Sequence, residues 1–465
     1  MIVMKFGGTS NQDAAAMSNV ISIVKSHLPE QPVVVISAIA RATNELEQTA
    51  RTAALGNKTQ AEALLNGLFN RHNTIIESLI TSADIVAQLK ATFAQYLAEL
   101  KQLVNGVTIL RELTPRTMDA FCSYGERLSS RLIAAGLQES GVDAVWIDAK
   151  DFMVTDDDFG RAQPLTDLVA SNLEKVVRPM VKQMKVPVTQ GFIGVTQSGA
   201  YTTMGRESSD YSASIIGAAM NAERVQIWTD VDGILTADPN VVKETRKVKR
   251  MSFEEAFELS FFGAKVLHPN TMLPVLEKKI PVQILNSRHK DGSGTLVDVD
   301  SVSTDGRTII KSIAFKKGLS IITVTPHKRF SQYLFWEGIF SVLTRYGITT
   351  GMMTTSEYNI SFTVENKMIA EGLSHDLQEF GRVDVHGSKA SLCLVGTGMR
   401  GSAGLMNRIF DALSSMNIMM VSYGASSLNL ALVIDEQQIP EALRRLHKEF
   451  FERTEVGEAF ESIAR

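Results

Sequence analysis

The sequence predicts an α/β protein in which a mostly parallel sheet between helices, an αβα sandwich, is followed by two ferredoxin-like units. Three observations favour this fold class. Short β-branched runs alternate with helical patterns up to about residue 300. A stretch rich in Asp, Gly, Ser and Thr then interrupts the pattern at residues 287–308. Residues 312–465 finally repeat one unit twice.

Composition narrows the class of protein. The chain has 465 residues, and 47 basic against 51 acidic side chains give a net charge of −4. A hydrophobic content of 44% predicts folded domains, about three at roughly 150 residues each. The pI near 6.1 argues against nucleic-acid binding, and no apolar run reaches the roughly 18 residues of a membrane helix. Two cysteines and an N-terminus without a signal-peptide pattern predict a cytoplasmic location.

The first domain is predicted to hold its strands in a parallel sheet buried on both faces. The strands are expected at Ile2 to Phe6, Val33 to Ser37, Val145 to Ala149, Val186 to Gln190, Arg224 to Thr229 and Pro281 to Leu285. A long helical insertion separates the second strand from the third, because apolar residues recur there at helical spacing. His72 falls on that apolar stripe and is interpreted as a packing residue.

The C-terminal part is predicted to contain two βαββ units, each followed by a helix. Laying residues 356–364 over residues 426–434 aligns Asn359 with Asn429. We therefore predict a catalytic domain at 1–296, a linker at 297–311, and repeated units at 312–385 and 386–454.

The opening strand delivers Lys5 and then Gly7-Gly8-Thr9-Ser10 ahead of a helix. Adjacent glycines let backbone N–H groups approach an anion, and a helix start adds its positive dipole end. Lys5 supplies a point charge beside them. Two glycines after a strand more often form a tight turn without a ligand, and no Walker A motif is present.

A second polar region precedes a helix of small residues. It runs from Thr202 to Tyr211 and places Arg206 before Ser209 and Asp210. Ser209 or Asp210 could act only as a helix N-cap, but an Arg, hydroxyls and an Asp at a helix start also suit a small carboxylate beside a polyphosphate.

Other motifs are interpreted as coincidental. Residues 396–401 fit G-x-G-x-x-G, but the next strand ends without a ribose-binding acidic residue. Residues 158–160 spell Asp-Phe-Gly without the catalytic loop of protein kinases. The histidines and cysteines lack metal-ligand spacing, so no metal held by protein side chains is predicted.

Five motifs taken together resemble the aspartate kinases of the amino-acid kinase superfamily. They are K-F-G-G-T-S at 5–10, S-Y-G-E-R-L-S at 123–129, T-T-M-G-R-E-S-S-D-Y at 202–211, W-T-D-V-D-G at 228–233 and F-G-A-K-V-L-H-P at 262–269. The C-terminal repeats resemble the tandem ACT domains of the same enzymes. In that family one ACT unit is inserted within the other, which implies that the tail at 455–465 returns to the first unit.

The resemblance implies phosphoryl transfer from ATP with Mg²⁺ to the side-chain carboxylate of L-aspartate. Residues implied in catalysis are Lys5, Arg206 and Asp210, and those implied in aspartate binding are Thr43, Glu126, Arg206 and Ser209. The implied nucleotide site comprises Lys5, Gly7, Gly8, Thr9, Ser10, Thr229, Asp230, Leu235 and Lys265. Because the sequence ends at residue 465, without the further domain of fused homoserine dehydrogenases, a monofunctional kinase is expected.

The resemblance also implies a homodimer or higher oligomer and an amino-acid effector at the ACT units. The matching residues are Thr350, Gly351, Ser356 and Glu357. Lysine-sensitive relatives carry Asp where this chain has Gly351, so lysine, threonine, another effector or none remain alternatives. Two alternative functions are another amino-acid kinase, such as a glutamate kinase, and an amino-acid sensor with an inactive kinase domain.

Overall fold

The computed structural model describes residues 1–205, 208–264, 269–299, 309–327, 331–452 and 459–462. The chain divides into two compact units. The first comprises Met1–Gly233 and His268–Val299, and the second comprises Ile234–Leu267 and Asp300–Arg465. The predicted domain at 1–296 therefore differs from the first compact unit, because residues 234–267 belong to the second unit. The domain boundaries stay a prediction.

The regular elements alternate between helices and strands in the first unit and are richer in strands in the second. The helices are α1 Ala14–Ser26, α2 Ala42–Ala54, α3 Lys58–Leu79, α4 Ala83–Leu110, α5 Pro115–Glu139, α6 Thr166–Val176, α7 Arg178–Lys182, α8 Ser209–Met220, α9 Phe253–Phe261, α10 Pro269–Glu277, α11 Gln332–Arg345, α12 Leu373–Gln378, α13 Leu405–Ala412 and α14 Ile439–His447. The strands are β1 Ile2–Phe6, β2 Pro32–Ile36, β3 Ala144–Trp146, β4 Val154–Thr155, β5 Val186–Gln190, β6 Ile193–Thr196, β7 Tyr201–Thr203, β8 Val225–Thr229, β9 Arg246–Val248, β10 Arg250–Ser252, β11 Val282–Asn286, β12 Thr295–Asp298, β13 Ile309–Pro326, β14 Met353–Thr355, β15 Ile360–Glu365, β16 Gly381–Thr397, β17 Met420–Tyr423, β18 Asn429–Asp435 and β19 Phe460–Ser462.

The main sheet of the first unit runs in the order β12-β11-β8-β1-β2-β5-β3. Neighbouring strands are parallel except for β12, which pairs antiparallel with β11. In the centre, Phe6 is in register with Ile36 on one side and Trp228 on the other. Because parallel strands end at one edge, the loops after β1, β2, β5 and β8 converge there, where ligands bind such sheets.

The helical insertion packs through an apolar core shared with the sheet. His72 is fully buried there, and its Nδ1 lies 2.8 Å from the carbonyl oxygen of Leu68. Burial lowers the pKa of His72 to about 4, so the ring is neutral. This geometry agrees with the interpretation of His72 as a packing residue.

The second unit contains an antiparallel sheet in the order β14-β15-β13-β16-β18-β17. Its two long strands, β13 and β16, pair along both halves, with register shifts between Lys316 and Leu319. Gly318 lies at this junction with φ +72°, a conformation that glycine adopts without strain. Each long strand therefore serves two repeated units.

The two units of the repeat are not consecutive segments of the chain, because they share the long strands β13 and β16. Residues 319–326 of β13 pair with β15 and with the start of β16, completing the first unit. Residues 309–316 pair instead with the end of β16, which continues through β18 to β17. The second unit thus takes its fourth strand from the segment that precedes the first unit.

The C-terminal tail differs from the prediction. Residues 460–462 form β19, which pairs antiparallel with β9 at residues 246–248. Phe460 packs against the apolar core of the second repeated unit, and Lys247 forms an ion pair with Glu461 at 3.1 Å. The described part of the tail therefore pairs with β9 and does not return to the first ACT-like unit.

Candidate active site

The loop after β1 is fixed by close packing at its two glycines. The N–H of Gly7 donates to the carbonyl oxygen of Trp228 at 3.0 Å, and the N–H of Ala40 donates to Gly8 at 3.1 Å. A Cβ at Gly8 would lie 2.9 Å from the carbonyl oxygen of Ala38, so no side chain fits. The loop therefore lies between the end of β8 and the segment that follows β2. Glycine is required at position 8, where the loop passes close to Ala38.

Lys5 and Asp210 meet above this loop. The ammonium of Lys5 lies 2.5 Å from Oδ1 of Asp210, and their side chains are only 11% and 16% exposed. A Cβ added at Gly7 would lie 3.7 Å from the same ammonium. Asp210, in the first turn of α8, thus holds the cation over the glycine loop, where a polyphosphate would be neutralised.

Glu126 is a buried carboxylate without a protein cation among the described residues. It is 3% exposed, and its Oε1 accepts a hydrogen bond from the N–H of Ala38 at 3.1 Å. Its other oxygen, Oε2, has no hydrogen-bond partner in the described part of the chain. Burial raises the pKa of Glu126 to about 8, and the N–H of Ala38 lowers it only in part. The site can therefore accept a cationic group such as an ammonium.

Thr43 and Ser209 are held close to these groups by contacts with glycines. A Cβ at Gly125 would lie 3.0 Å from Cβ of Ala38 and 3.7 Å from Oγ1 of Thr43. Gly191, directly after β5, approaches Ser209 so closely that a Cβ there would lie 2.7 Å from the serine Cβ. The structure therefore brings Thr43, Glu126, Ser209 and Asp210 to the edge where β1, β2 and β5 end.

The predicted nucleotide residues follow the neighbouring strand β8. Thr229 is half-buried and Asp230 is exposed, and the threonine hydroxyl donates to Asp230 at 3.3 Å. Ser10 is buried, and its Oγ lies 2.7 Å from Oγ of Ser287. The N–H of Ser10 also donates within the protein, to the carbonyl oxygen of Gly7 at 3.1 Å, so the role of Ser10 in nucleotide binding stays a prediction.

Three predicted site residues lie outside the described part of the first compact unit. Leu235 belongs to the second compact unit, where its carbonyl oxygen accepts a hydrogen bond from Ser312 at 2.7 Å. Arg206 and Lys265 lie outside the described residues. Their roles stay predictions.

The predicted effector residues flank β14 in the first ACT-like unit. Thr350 is half-buried, whereas Ser356 and Glu357 are exposed. The hydroxyl of Ser356 accepts the N–H of Asn359 at 3.0 Å, closing a turn before β15. A Cβ at Gly351 would lie 2.7 Å from Oγ1 of Thr363, so packing alone disfavours an aspartate there.

Several residues around the site escaped the sequence analysis. Asp119 is a buried carboxylate on α5 that bonds two distant segments, at Gly160 and Thr203. Arg127 stacks on three tyrosines, with its Cζ 4.4 Å from the ring centroids of Tyr96 and Tyr124 and 4.9 Å from that of Tyr201. Only the spacing of Asp119, seven residues before Glu126 on one helix, could have indicated a role.

Comparisons with known proteins agree with this geometry. The amino acid kinase family model matches residues 1–286, and an ACT domain model matches residues 392–450. Lysine-sensitive aspartokinase 3 of Escherichia coli is 32% identical over 97% of this chain and 99% of its own. Chloroplastic aspartokinase 3 of Arabidopsis thaliana is 34% identical over 98% of this chain and 82% of its own.

Solved structures are similar as well. The crystal structure of E. coli aspartokinase III in complex with aspartate and ADP, an R-state, is 31% identical with a TM-score of 0.84, covering 97% of this chain and 100% of that one. The T-state of the same enzyme with lysine and aspartate has a TM-score of 0.80, with 31% identity and 97% and 99% coverage. The predicted fold class is thereby confirmed, and the chain belongs to the amino acid kinase family and, within it, to the aspartokinases.

Proposed function

We propose that this protein transfers the terminal phosphoryl group of ATP to the side-chain carboxylate of L-aspartate, giving 4-phospho-L-aspartate. The observation that carries the proposal is the pairing of two opposite sites at one sheet edge. One is an ammonium held over a glycine loop, and the other is a buried carboxylate without a protein cation among the described residues. A polyphosphate and an amino acid are the ligands that complement them.

The residues supply alignment and charge rather than a nucleophile, which is what phosphoryl transfer requires. Glu126 accepts the α-ammonium of aspartate, with Thr43 and Ser209 beside it. Lys5 neutralises charge that develops on the oxygens of the transferred phosphoryl group. Asp210 pairs with the ammonium of Lys5 and keeps it directed at the glycine loop. Arg206 grips a carboxylate of aspartate as a bidentate fork.

The nucleotide site fits this chemistry through backbone donors. The close contact between Gly8 and the carbonyl oxygen of Ala38 fixes the course of the loop, so that its backbone has a defined position beside the ammonium of Lys5. No group of acidic, histidine or cysteine side chains in the described ranges could hold a metal ion. Mg²⁺ would be brought by the nucleotide and would offset the charge of its phosphates.

Replacement of Lys5 tests the proposal directly. We expect Lys5→Ala to fold but to lose at least about 100-fold in kcat, on the order of 3 kcal/mol of transition-state stabilisation. The measurement is ADP release in a coupled assay, with circular dichroism to verify folding. Lys58→Ala is the matched control, because Lys58 is a half-exposed lysine that bonds Asn105 outside the site. Turnover by Lys5→Ala within tenfold of the parent enzyme would contradict the assignment.

The same assay separates the alternative functions. An aspartokinase releases ADP with L-aspartate, and a glutamate kinase does so with L-glutamate. A sensor with an inactive kinase domain releases none with either amino acid. The arrangement at Lys5 and Asp210 favours an active enzyme, because a sensor has no need of a cation held over a phosphate loop.

We also propose that the ACT pair binds an amino-acid effector and joins subunits into a homodimer. The outer face of α11 supports an interface there, since Tyr333 is 76% and Leu334 62% exposed. The lysine complex of the E. coli enzyme supports an amino-acid ligand. Titration calorimetry with lysine and threonine distinguishes the effectors, and sedimentation velocity gives the oligomeric state. A monomer at micromolar concentration would refute the assembly.

In the part of the chain that the structure describes, no helix combines the length and the apolar character needed to cross a bilayer.

A further inference from the structure

A carboxylate on α5 connects the aspartate-binding helix to the loop that leads to Arg206. Asp119 lies seven residues before Glu126, so both side chains emerge from the same face of α5, two turns apart. Both are buried, at 2% and 3% exposure. Asp119 is too enclosed to touch a substrate, yet it shares its helix with a residue that does so in the proposed function.

Asp119 accepts three hydrogen bonds from two separate segments. Its Oδ2 accepts the N–H of Gly160 at 2.8 Å and the N–H of Thr203 at 2.9 Å, and its Oδ1 accepts the hydroxyl of Thr203 at 2.7 Å. The two segments also bond each other, since the N–H of Ala162 donates to the carbonyl oxygen of Thr203 at 3.0 Å. One side chain thus fixes the end of β7 against α5.

The end of β7 leads within a few residues to the predicted catalytic groups. Gly205 has φ +90°, and a Cβ there would lie 3.7 Å from the carbonyl oxygen of Gly160. The carbonyl oxygen of Gly205 accepts the hydroxyl of Ser208 at 2.7 Å, directly before α8 begins with Ser209 and Asp210. Both sides of residues 206 and 207 are therefore anchored, and Asp119 holds the upstream side.

We propose that Asp119 is a positioning residue for the phosphoryl-transfer reaction, which ties the segment before Arg206 to the helix that carries Glu126. This inference rests on the proposed function. Through the tie, the end of β7 keeps a constant separation from the helix that carries Glu126. The glycine loop at residues 7 and 8 is held by β2 and β8 instead, so the nucleotide side does not depend on Asp119.

The test is steady-state kinetics of Asp119→Ala and Asp119→Asn. We expect Asp119→Ala to raise KM for aspartate about tenfold, because three donors lose their acceptor, while KM for ATP changes less than twofold. In Asp119→Asn the amide oxygen can accept both N–H groups while the NH₂ group donates to the rotatable hydroxyl of Thr203. We expect this conservative variant to return KM for aspartate to within threefold of the parent enzyme.

The matched control is Asp148→Asn. Asp148 is also buried, and its Oδ2 accepts the hydroxyl of Tyr201 on the same strand at 2.9 Å, but it does not bond residue 203 or 160 in the described structure. KM for aspartate should change less than twofold. A rise in KM for both substrates in Asp119→Ala would indicate a general loss of structure and overturn the proposal, as would unchanged kinetics. Equal damage by Asn and Ala would overturn it too, because the charge rather than the tie would then matter.

Thr203→Val keeps the proposal falsifiable if Asp119→Ala does not fold. This substitution removes only the hydroxyl and keeps the volume, and we expect about a threefold rise in KM for aspartate, with Thr203→Ser near the parent value. No effect of Thr203→Val would overturn the proposal. Failure of the proposed function itself is distinguishable, since the parent enzyme would then release no ADP with aspartate.

Discussion

Two buried glutamates in the two compact units differ in what they pair with. Glu126 in the first unit is 3% exposed, and its side chain accepts only the backbone N–H of Ala38 among the described residues. Glu255 in the second unit is fully buried, and its Oε2 lies 2.6 Å from the ammonium of Lys311. It also accepts the N–H of Ser252 at 2.8 Å in a capping box at the start of α9. Glu255 is therefore paired with a cation of its own chain, whereas Glu126 has no such cation among the described residues.

The difference separates a structural charge from a functional one. Removing a charge from water costs several kcal/mol, which a protein recovers through a paired and hydrogen-bonded partner. Glu255 has that partner, so its charge joins α9 to β13. Glu126 has none in the described structure, so the folded protein retains an unfavourable site that a ligand can satisfy. Substitutions at the two positions should therefore have opposite effects on binding and stability.

The largest effect is expected at the open site. Glu126→Gln keeps the acceptor for Ala38 but removes the charge that pairs with the substrate ammonium. We expect KM for aspartate to rise on the order of 1,000-fold, about 4 kcal/mol, with the melting temperature unchanged or raised. Steady-state kinetics and calorimetry measure the two quantities. A lowered melting temperature with normal KM would place Glu126 with Glu255 as a structural residue.

A smaller effect, on stability alone, is expected at the paired site. Lys311→Met leaves Glu255 buried beside no ammonium from residue 311, and we expect it to destabilise the fold by about 3 kcal/mol. Thermal and urea unfolding measure the loss, and KM for aspartate of the folded enzyme should stay within threefold. Lys316→Met is the control, because its pair with Glu365 is 38% and 25% exposed and should contribute less than about 1 kcal/mol. Equal melting temperatures for the two variants would contradict the comparison.

The smallest effect concerns pH. With a pKa of about 8, Glu126 holds a proton at pH 6 that must leave before an ammonium can pair with it. The apparent affinity for aspartate should therefore rise roughly 50-fold from pH 6 to 8 and level off above that. The profile of 1/KM against pH measures this, and Glu126→Gln should give a flat profile. A flat profile in the parent enzyme would show that Glu126 is ionised throughout.

The same group makes a contribution of known sign to stability. Its pKa is higher in the folded protein than in the unfolded chain, where it is about 4.5, so the folded state binds more protons between these values. Its contribution to the free energy of unfolding therefore falls as the pH rises from about 4.5 through about 8. Glu126→Gln should remove that part of the pH dependence.

The sequence predicted those parts of the molecule that local patterns determine. The strand at Ile2–Phe6 and the loop after it follow from a buried β-branched run that ends in glycines. The internal repeat predicted the paired units, because Asn359 and Asn429 occupy matching positions before β15 and at the start of β18. Glu126 required the resemblance, since nothing local distinguishes it from other helical glutamates.

Features that depend on distant pairing were missed. Asp119 and Thr203 are 84 residues apart, and neither belongs to a recognisable motif. The sequence analysis assigned residues 309–311 to a linker and residues 312–316 to the first unit, whereas all of them pair with the end of β16 in the second unit. The tail was expected to return to the first unit, and only the strand pairing shows that residues 460–462 lie beside β9 instead.

The second repeated unit takes its fourth strand from residues 309–316, which precede the rest of that unit in the chain, and this order constrains how the nascent chain can fold. Residues 309–316 leave the ribosome before the first repeated unit, but the helix at 439–447 that covers their core is made more than 100 residues later. At about 5–20 residues per second, this strand waits on the order of 10 s for its partners. The first repeated unit can close during that interval as an inserted module. A truncation before α14 would leave only α13 to cover this apolar sheet face, so premature termination there should yield aggregates rather than a smaller folded enzyme.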